Sequence, residues 1–196
     1  MRIFILLLTL LVTQPSWADW QIINDRSQFN IVSTKKVNAT EVHQFTQLKG
    51  DILPQGEVKL IIDLSSIETN IPIRNVRMKN FLFETKTFPQ ATFTTSIDSK
   101  VLDKLSEGQV KNIDVIGDVS LHGAKQSIKT QVQVVKLTAN TLLVNSLKPI
   151  VIQASDFDLD AGIEKLKTLA ALPSISYAVP ITFSLYFAKD SLIKDL

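Results

Sequence analysis

The sequence predicts an all-β fold: an antiparallel barrel of about eight strands, with a long flap containing a short helix and a second helix at one barrel end. Three observations predict it. Segment after segment alternates apolar and polar residues with period two, the strand signature. Turn signals fall between these segments at Asn24-Asp25, Lys49-Gly50-Asp51, Gln55-Gly56, Glu107-Gly108, His122-Gly123 and Ala139-Asn140, which gives a meander. The run from Ile175 through Tyr177, Val179, Ile181, Phe183 and Leu185 to Phe187 keeps one apolar face for roughly 40 Å at ~3.3 Å per residue. Strands with one greasy face each are satisfied by closure, which leaves no edge exposed.

The elements follow in chain order. Phe29 and Ile31 mark an early strand. Val58, Leu60, Ile62 and Leu64 alternate with Glu57, Lys59, Ile61 and Asp63, and the pattern resumes at Ala91, Phe93, Thr95 and Ile97. Between them, residues 64–93 hold an insertion far longer than a hairpin turn, and compact domains rarely keep such a loop without a use for it. Pro72 can open a helix there. Met78, Phe81 and Leu82 are spaced i, i+3, i+4, and Arg74, Arg77 and Lys79 add cations, so the segment reads as an amphipathic flap. Ile113, Val115, Val119 and Leu121 alternate around Gly117, and Ile128, Thr130, Val132 and Val134 follow. A second helix spans residues 161–172, with Ile163, Leu166, Leu169 and Ala170 as its stripe, Asp160 as N-cap and Pro173 as its stop. Pro180 marks an edge, bulge or bend in the last strand.

Residues 1–18 read as a cleavable export signal: Met1-Arg2, an apolar run over 3–12, and Ser16-Trp17-Ala18, with cleavage after Ala18. That run is too short to span a bilayer. Residues 19–196 then form one domain. The chain has 21 Lys and Arg against 19 Asp and Glu, a balance that disfavours nucleic acid as a partner. It has no cysteine, which excludes disulfides, thiol redox chemistry, cysteine-bound metal and a lipid-modified N-terminus.

Little in the sequence can build catalysis. Asp156, Asp158 and Asp160 have the spacing that opens a calcium loop, but Ala161 and Lys167 stand where that loop needs glycine and glutamate. His43 and His122 lie in no metal-binding motif, and no nucleophile elbow or phosphate-binding glycine loop is present. No cofactor and no metal are expected. The flap cations have two readings, solvation of an outer helix face or bidentate recognition of phosphate or carboxylate by Arg74 and Arg77. Likewise Phe81, Phe83, Phe88 and Phe93 suit either an ordinary core or a greasy mouth.

Several of these residues resemble the YceI-like family: Leu64-Ser65-Ser66-Ile67-Glu68-Thr69, Arg74-Asn75, Met78, Phe83 and Phe88-Pro89-Gln90-Ala91-Thr92-Phe93. The likeness extends to Trp20, Ser27-Gln28-Phe29, the stretch from Gly117 to Lys125, and Ser155-Asp156-Phe157. Asn75 stands for the usual aspartate, Arg77 near the usual histidine, and His43 and Asp158 for usual glycines. The resemblance implies a lipocalin-like barrel, exported to the periplasm, holding a long isoprenoid or related lipid, often as a dimer. A homodimer and transient, peripheral membrane contact are further expectations.

A barrel of this strand count either packs its interior solid or holds one small ligand. The leading expectation is an isoprenoid lipid, of quinone or polyprenyl phosphate type, lined by Phe29, Ile31, Leu60, Ile62, Phe93, Ile113, Val115, Val132, Ile181, Phe183 and Leu185. Arg74, Arg77, Phe81 and Phe83 are expected at its head group. A filled barrel serving protein interaction or stress protection instead predicts no cavity of about 300 Å³ or more. An enzyme would use His43 or His122 as base.

Overall fold

The computed structural model describes residues 19–189, so the expected export signal over 1–18 lies outside the described residues. The described residues form twelve strands: β1 (Trp20–Ile22), β2 (Gln28–Lys35), β3 (Ala39–Phe45), β4 (Leu48–Ile52), β5 (Glu57–Asp63), β6 (Ile67–Glu68), β7 (Gln90–Ser96), β8 (Val110–Leu121), β9 (Ala124–Thr138), β10 (Thr141–Ser146), β11 (Ile150–Gln153) and β12 (Ala178–Lys189). β12 pairs with β10 and β11 along one edge and with β1 and β2 along the other. β1 likewise bonds β4, and β2 bonds β3. The segments therefore join into eight antiparallel ribbons, β1–β2, β3–β4, β5–β6, β7, β8, β9, β10–β11 and β12, closed as an up-and-down barrel.

Side chains fill the hydrogen-bonding gaps where ribbons break. Ser66 Oγ accepts from the backbone N–H groups of Thr46 and Gln47, each at 3.1 Å, and Asn24 Oδ1 accepts from Leu48 N–H at 2.7 Å. A buried break without such partners would leave polar backbone unsatisfied. Pro180 sits at a protected position of the same kind. It faces Val151 of β11, while pairing with β2 begins only at Ile181, so its missing N–H falls beyond the β2 ladder.

Connections in a meander alternate between barrel ends. The Lys36–Asn38 turn, the flap, the His122-Gly123 turn and the link from β11 to β12 share one end, called the mouth below. His122 and Gly123 both have positive φ, 51° and 82°, as a two-residue type I′ hairpin turn requires. The signal at Lys49-Gly50-Asp51 does not make a turn. Gly50 lies inside β4, where a Cβ would come within 2.7 Å of Ile22 Cδ1, so the glycine serves close strand packing.

The flap is partly sheet. Leu64–Ser66 makes a 3₁₀ turn, and Ile67 and Glu68 pair with Phe45 and Gln44 before helix α1 (Pro72–Arg77) begins with Pro72 in its first turn. α1 runs into a π-helical turn, Met78–Leu82, where Phe83 N–H reaches Met78 O at 2.9 Å. A single short turn, α2 (Lys100–Asp103), covers the opposite barrel end with buried Leu102. α3 (Asp160–Leu169) lies at the mouth against the flap. It starts with Asp160 inside the helix and Leu159 as cap, and it stops three residues short of the expected Leu172. Ala171 turns left-handed at φ 50°, with Ala171 N–H bonding Thr168 O at 3.1 Å and Leu172 N–H bonding Lys167 O at 3.0 Å. This is a Schellman end, closed by backbone before Pro173 is reached.

Candidate functional site

The inner wall is built from one parity of each strand. Phe29 and Ile31 on β2, Leu60 and Ile62 on β5, Phe93 on β7, Ile113 and Val115 on β8, Val132 on β9, and Ile181, Phe183 and Leu185 on β12 all face one cavity of about 220 Å³. The eleven positions chosen from alternation alone are thus brought together. Phe45, Ile52, Val58, Val119, Val134, Val144, Ile152 and Phe187 extend the wall, and Leu102 and Ile163 reach it from the two ends. Phe29 packs edge-on against Phe45 and stacks on Phe183, each at 6.2 Å between ring centres. The volume is below the ~300 Å³ at which small-molecule pockets usually begin, the outcome the filled-barrel reading expects, so volume alone does not separate that reading from a lipid-holding barrel. The lining runs from Ile163 of α3 at one barrel end to Leu102 of α2 at the other.

The flap residues divide. Phe83 is buried, lines the cavity and packs against Phe45 at 5.7 Å. Phe81 does not join it: the residue is 41% exposed and outside the cavity lining, with Lys165 Nζ 5.8 Å from its ring centre. The cause is the π-helical turn, whose extra residue rotates Phe81 off the face that Met78 buries. Arg77 donates to Leu169 O at 3.2 Å, at the carbonyl end of α3 where a cation is favoured, and so clasps the flap to that helix. The clasp is close because Gly162 faces the flap backbone; a Cβ there would lie 2.6 Å from Phe81 O and 2.8 Å from Leu82 Cα.

Arg74 turns toward the barrel. Its Nη1 meets Glu41 Oε2 at 2.6 Å, and Nη2 donates to Thr69 O at 2.7 Å. Asn75 takes no part in an arginine pair. Its Oδ1 accepts from Thr69 N–H and Oγ1 at 2.9 and 2.5 Å, and its Nδ2 donates to Glu68 at 3.0 Å, a bond that an aspartate could not make. Lys35 Nζ reaches the same Glu41 oxygen at 2.6 Å. The hydrogen bond from Lys35 is the main cause holding the Glu41 carboxyl below its ordinary pKa. His43, 4% exposed, stands beside this cluster; burial pushes its pKa down, with Arg74 adding to the effect.

Sequence reasoning missed Phe45 because its strand breaks at Thr46-Gln47, and Val144 because Leu142-Leu143-Val144 shows no alternation. It missed the Lys35–Glu41–Arg74 group because the three lie on different elements. His122 bonds Glu84 at 2.9 Å and packs on Phe88, away from His43 in the chain. Among the described residues, no group of three or more His, Asp or Glu is placed to hold a metal ion.

A solved polyisoprenoid-binding domain from Saccharophagus degradans, implicated in plant cell wall breakdown, is 39% identical to this chain. The two superpose with a TM-score of 0.87 over 88% of this chain and 99% of that one. Burkholderia cenocepacia BcnA (20% identity, TM-score 0.66, 84% of this chain and 98% of that one) shares the fold. So does a Campylobacter jejuni YCEI protein (14% identity, TM-score 0.53, 74% and 82%). No curated protein sequence matches the chain. The model of the YceI-like domain matches residues 20–187, and the chain belongs to that family.

Proposed function

We propose that this protein holds the chain of a polyisoprenoid lipid, of quinone or polyprenyl phosphate type, inside its barrel as a carrier or sequestering protein rather than a catalyst. The observation that carries this reading is the continuous apolar wall, which runs from α3 at one barrel end to α2 at the other. A branched hydrocarbon chain suits a wall with no polar side chain but threonine, and each buried CH₂-sized group contributes about 0.8 kcal/mol. The similarity to the Saccharophagus polyisoprenoid-binding domain supports the same ligand class. The eleven inward residues and Phe83 are the lining, Arg74 stands nearest the head group, and Arg77 and Phe81 hold the flap to α3.

The leader-like features of residues 1–18 support export to the periplasm. Ile73 and Val76, both exposed on α1 with Arg77 and Lys79 following, support transient contact with a membrane where lipid is exchanged. The test is to purify the protein from its exported fraction, extract it with organic solvent and identify bound lipid by mass spectrometry. An isoprenoid is expected. Its absence, together with failure of lipid-free protein to take up either an isoprenoid quinone or a polyprenyl phosphate, would overturn the reading.

A further inference from the structure

β8 outruns its neighbour. β7 pairs with it only over Thr92–Thr95, against Gly117–Ser120, and ends at Ser96, whereas β8 begins at Val110 and pairs with β9 along its whole length. Ile116 O accepts from Thr95 Oγ1 at 2.7 Å, so the even-numbered residues of β8 turn their backbone N–H and C=O toward β7. Val110, Asn112 and Asp114 turn theirs the same way, and among the described residues no strand pairs with that side of 110–115. Thr94, Ser96, Ile116 and Asp118 line an outer groove where the two strands part.

An open edge is a template for another strand, and soluble proteins usually blunt it with lysine, proline or a bulge. This one is not blunted. Its single lysine, Lys111, has the parity of Ile113 and Val115, which face the cavity, and so does not guard the outer side. The outward side chains are Val110, Asn112, Asp114 and Ile116, with Val110 54% and Ile116 64% exposed. Val135 of β9, paired with Val110, and the exposed Leu137 extend that apolar surface.

The edge is also complementary to itself. Antiparallel pairing with the same edge of a second copy, centred on Ile113, sets Val110 beside the second copy's Ile116 and Asn112 beside its Asp114. Asp114 Oδ1 already accepts from Gln131 Nε2 at 3.0 Å, which leaves Oδ2 for the Asn112 amide. The neighbouring registers fail. Centred on Asp114, two carboxylates would face each other; centred on Asn112, Val110 would meet Asp114 and Ile116 would fall past the strand. Side chains therefore specify one register.

We propose that residues 110–116 of β8 form a self-complementary edge through which two copies of this chain join, antiparallel and centred on Ile113. Ile113 lines the cavity, so the joint brings the second copy's Ile113 against the barrel wall where β7 leaves it. The joint needs no bound lipid and stands or falls apart from the lipid-holding reading above.

Sedimentation equilibrium of the purified protein, over a concentration series reaching the millimolar range, reads the joint directly. A reversible monomer–dimer equilibrium is expected. Asn112→Pro removes an N–H that faces the open edge and leaves the β9 ladder whole, and Ile116→Lys blunts the edge with charge. Each should weaken the dimer about tenfold or more, the worth of a lost pair of hydrogen bonds or of an apolar contact turned against a charge. Val151→Lys, 56% exposed on β11, should dimerise as wild type does. Circular dichroism establishes that each variant is folded. Disulfide trapping reads the register, because the chain has no cysteine. Two Ile113 Cα atoms on the axis would lie about 4.5 Å apart, a separation that a disulfide spans. Ile113→Cys should oxidise to a covalent dimer, while Val110→Cys, whose copies would stand roughly 20 Å apart along the strands, should not. A chain that stays monomeric at every concentration overturns the proposal and leaves the edge to an extended segment of another protein. A dimer that survives both Asn112→Pro and Ile116→Lys, an Ile113→Cys variant that does not cross-link, or a Val110→Cys variant that cross-links equally well also overturns it.

Discussion

At the residue scale, His43 ties stability to pH. Burial holds its folded pKa below the ordinary 6.5, so the unfolded chain takes up a proton first as pH falls. The His43 contribution is therefore fully present above about 6.5 and is lost as pH drops through the window below it. Glu41, whose carboxyl is also depressed, adds a similar loss at pH values below its ordinary 4.5. Chemical denaturation at pH 7 and pH 5.5 should show lower stability at the acid value, and His43→Gln should flatten this difference. An unchanged difference in the variant would place its origin elsewhere. Asn75 gives a second prediction of opposite sign. Its Nδ2 donates to Glu68 while its Oδ1 receives Thr69, so Asn75→Asp keeps the second contact but sets two carboxylates against each other. Flap amides of Asn75→Asp should exchange faster than wild type at neutral pH and recover toward wild type in acid, as measured by hydrogen exchange. Both residues were visible in the sequence as departures from the family pattern, but their roles were not. A histidine in a strand looks the same whether it faces water or the barrel, and only closure of the sheet put His43 inside.

At the element scale, strand parity was legible and helix ends were not. Alternation needs only local information, so Leu60, Ile62, Val115 and Val132 were assignable to one face from their own segments. The end of α3 depends on a conformation that composition does not announce: Ala171 adopts φ 50°, where glycine is the usual residue. Ala171→Gly should remove a left-handed strain of about 1 kcal/mol and raise the melting temperature by roughly 2–4 °C, with the fold unchanged. No rise would mean that neighbouring contacts already offset the strain. Gly162 works in the opposite direction. Because a Cβ would meet the flap backbone and not a movable side-chain tip, Gly162→Ala should push α3 and the π-helical turn apart. Exchange protection of Phe83 and Thr85 amides, which bond Met78 and Lys79 carbonyls, should fall selectively while that of β8 and β9 holds. The π-helical turn itself escaped sequence reading because Met78, Phe81 and Leu82 carry ordinary helical spacing.

At the scale of the whole molecule, the barrel was legible because every strand needed the same partner, an apolar interior, and a closed meander supplies it to all of them at once. The cavity was not legible, since filled and hollow barrels share the same alternation and differ only in how side chains from opposite walls meet. The structure decides it: Phe29 and Phe183 stack side by side along the wall, and a cavity of about 220 Å³ remains inside it. Substitutions at the wall should consequently change stability and lipid uptake in separable ways. Val115→Phe projects new atoms into existing space, so it should cost less than the ~1–3 kcal/mol of an overpacked core and yet reduce polyprenol uptake at least several-fold. Phe183→Ala should do the reverse to the empty protein, removing about 3–5 kcal/mol by widening the void, while bound lipid restores part of that loss by filling it. Thermal melts of both variants, with and without polyprenol, check the pair together. If Val115→Phe binds lipid as well as wild type, or if lipid stabilises Phe183→Ala no more than wild type, the ligand does not occupy the barrel axis.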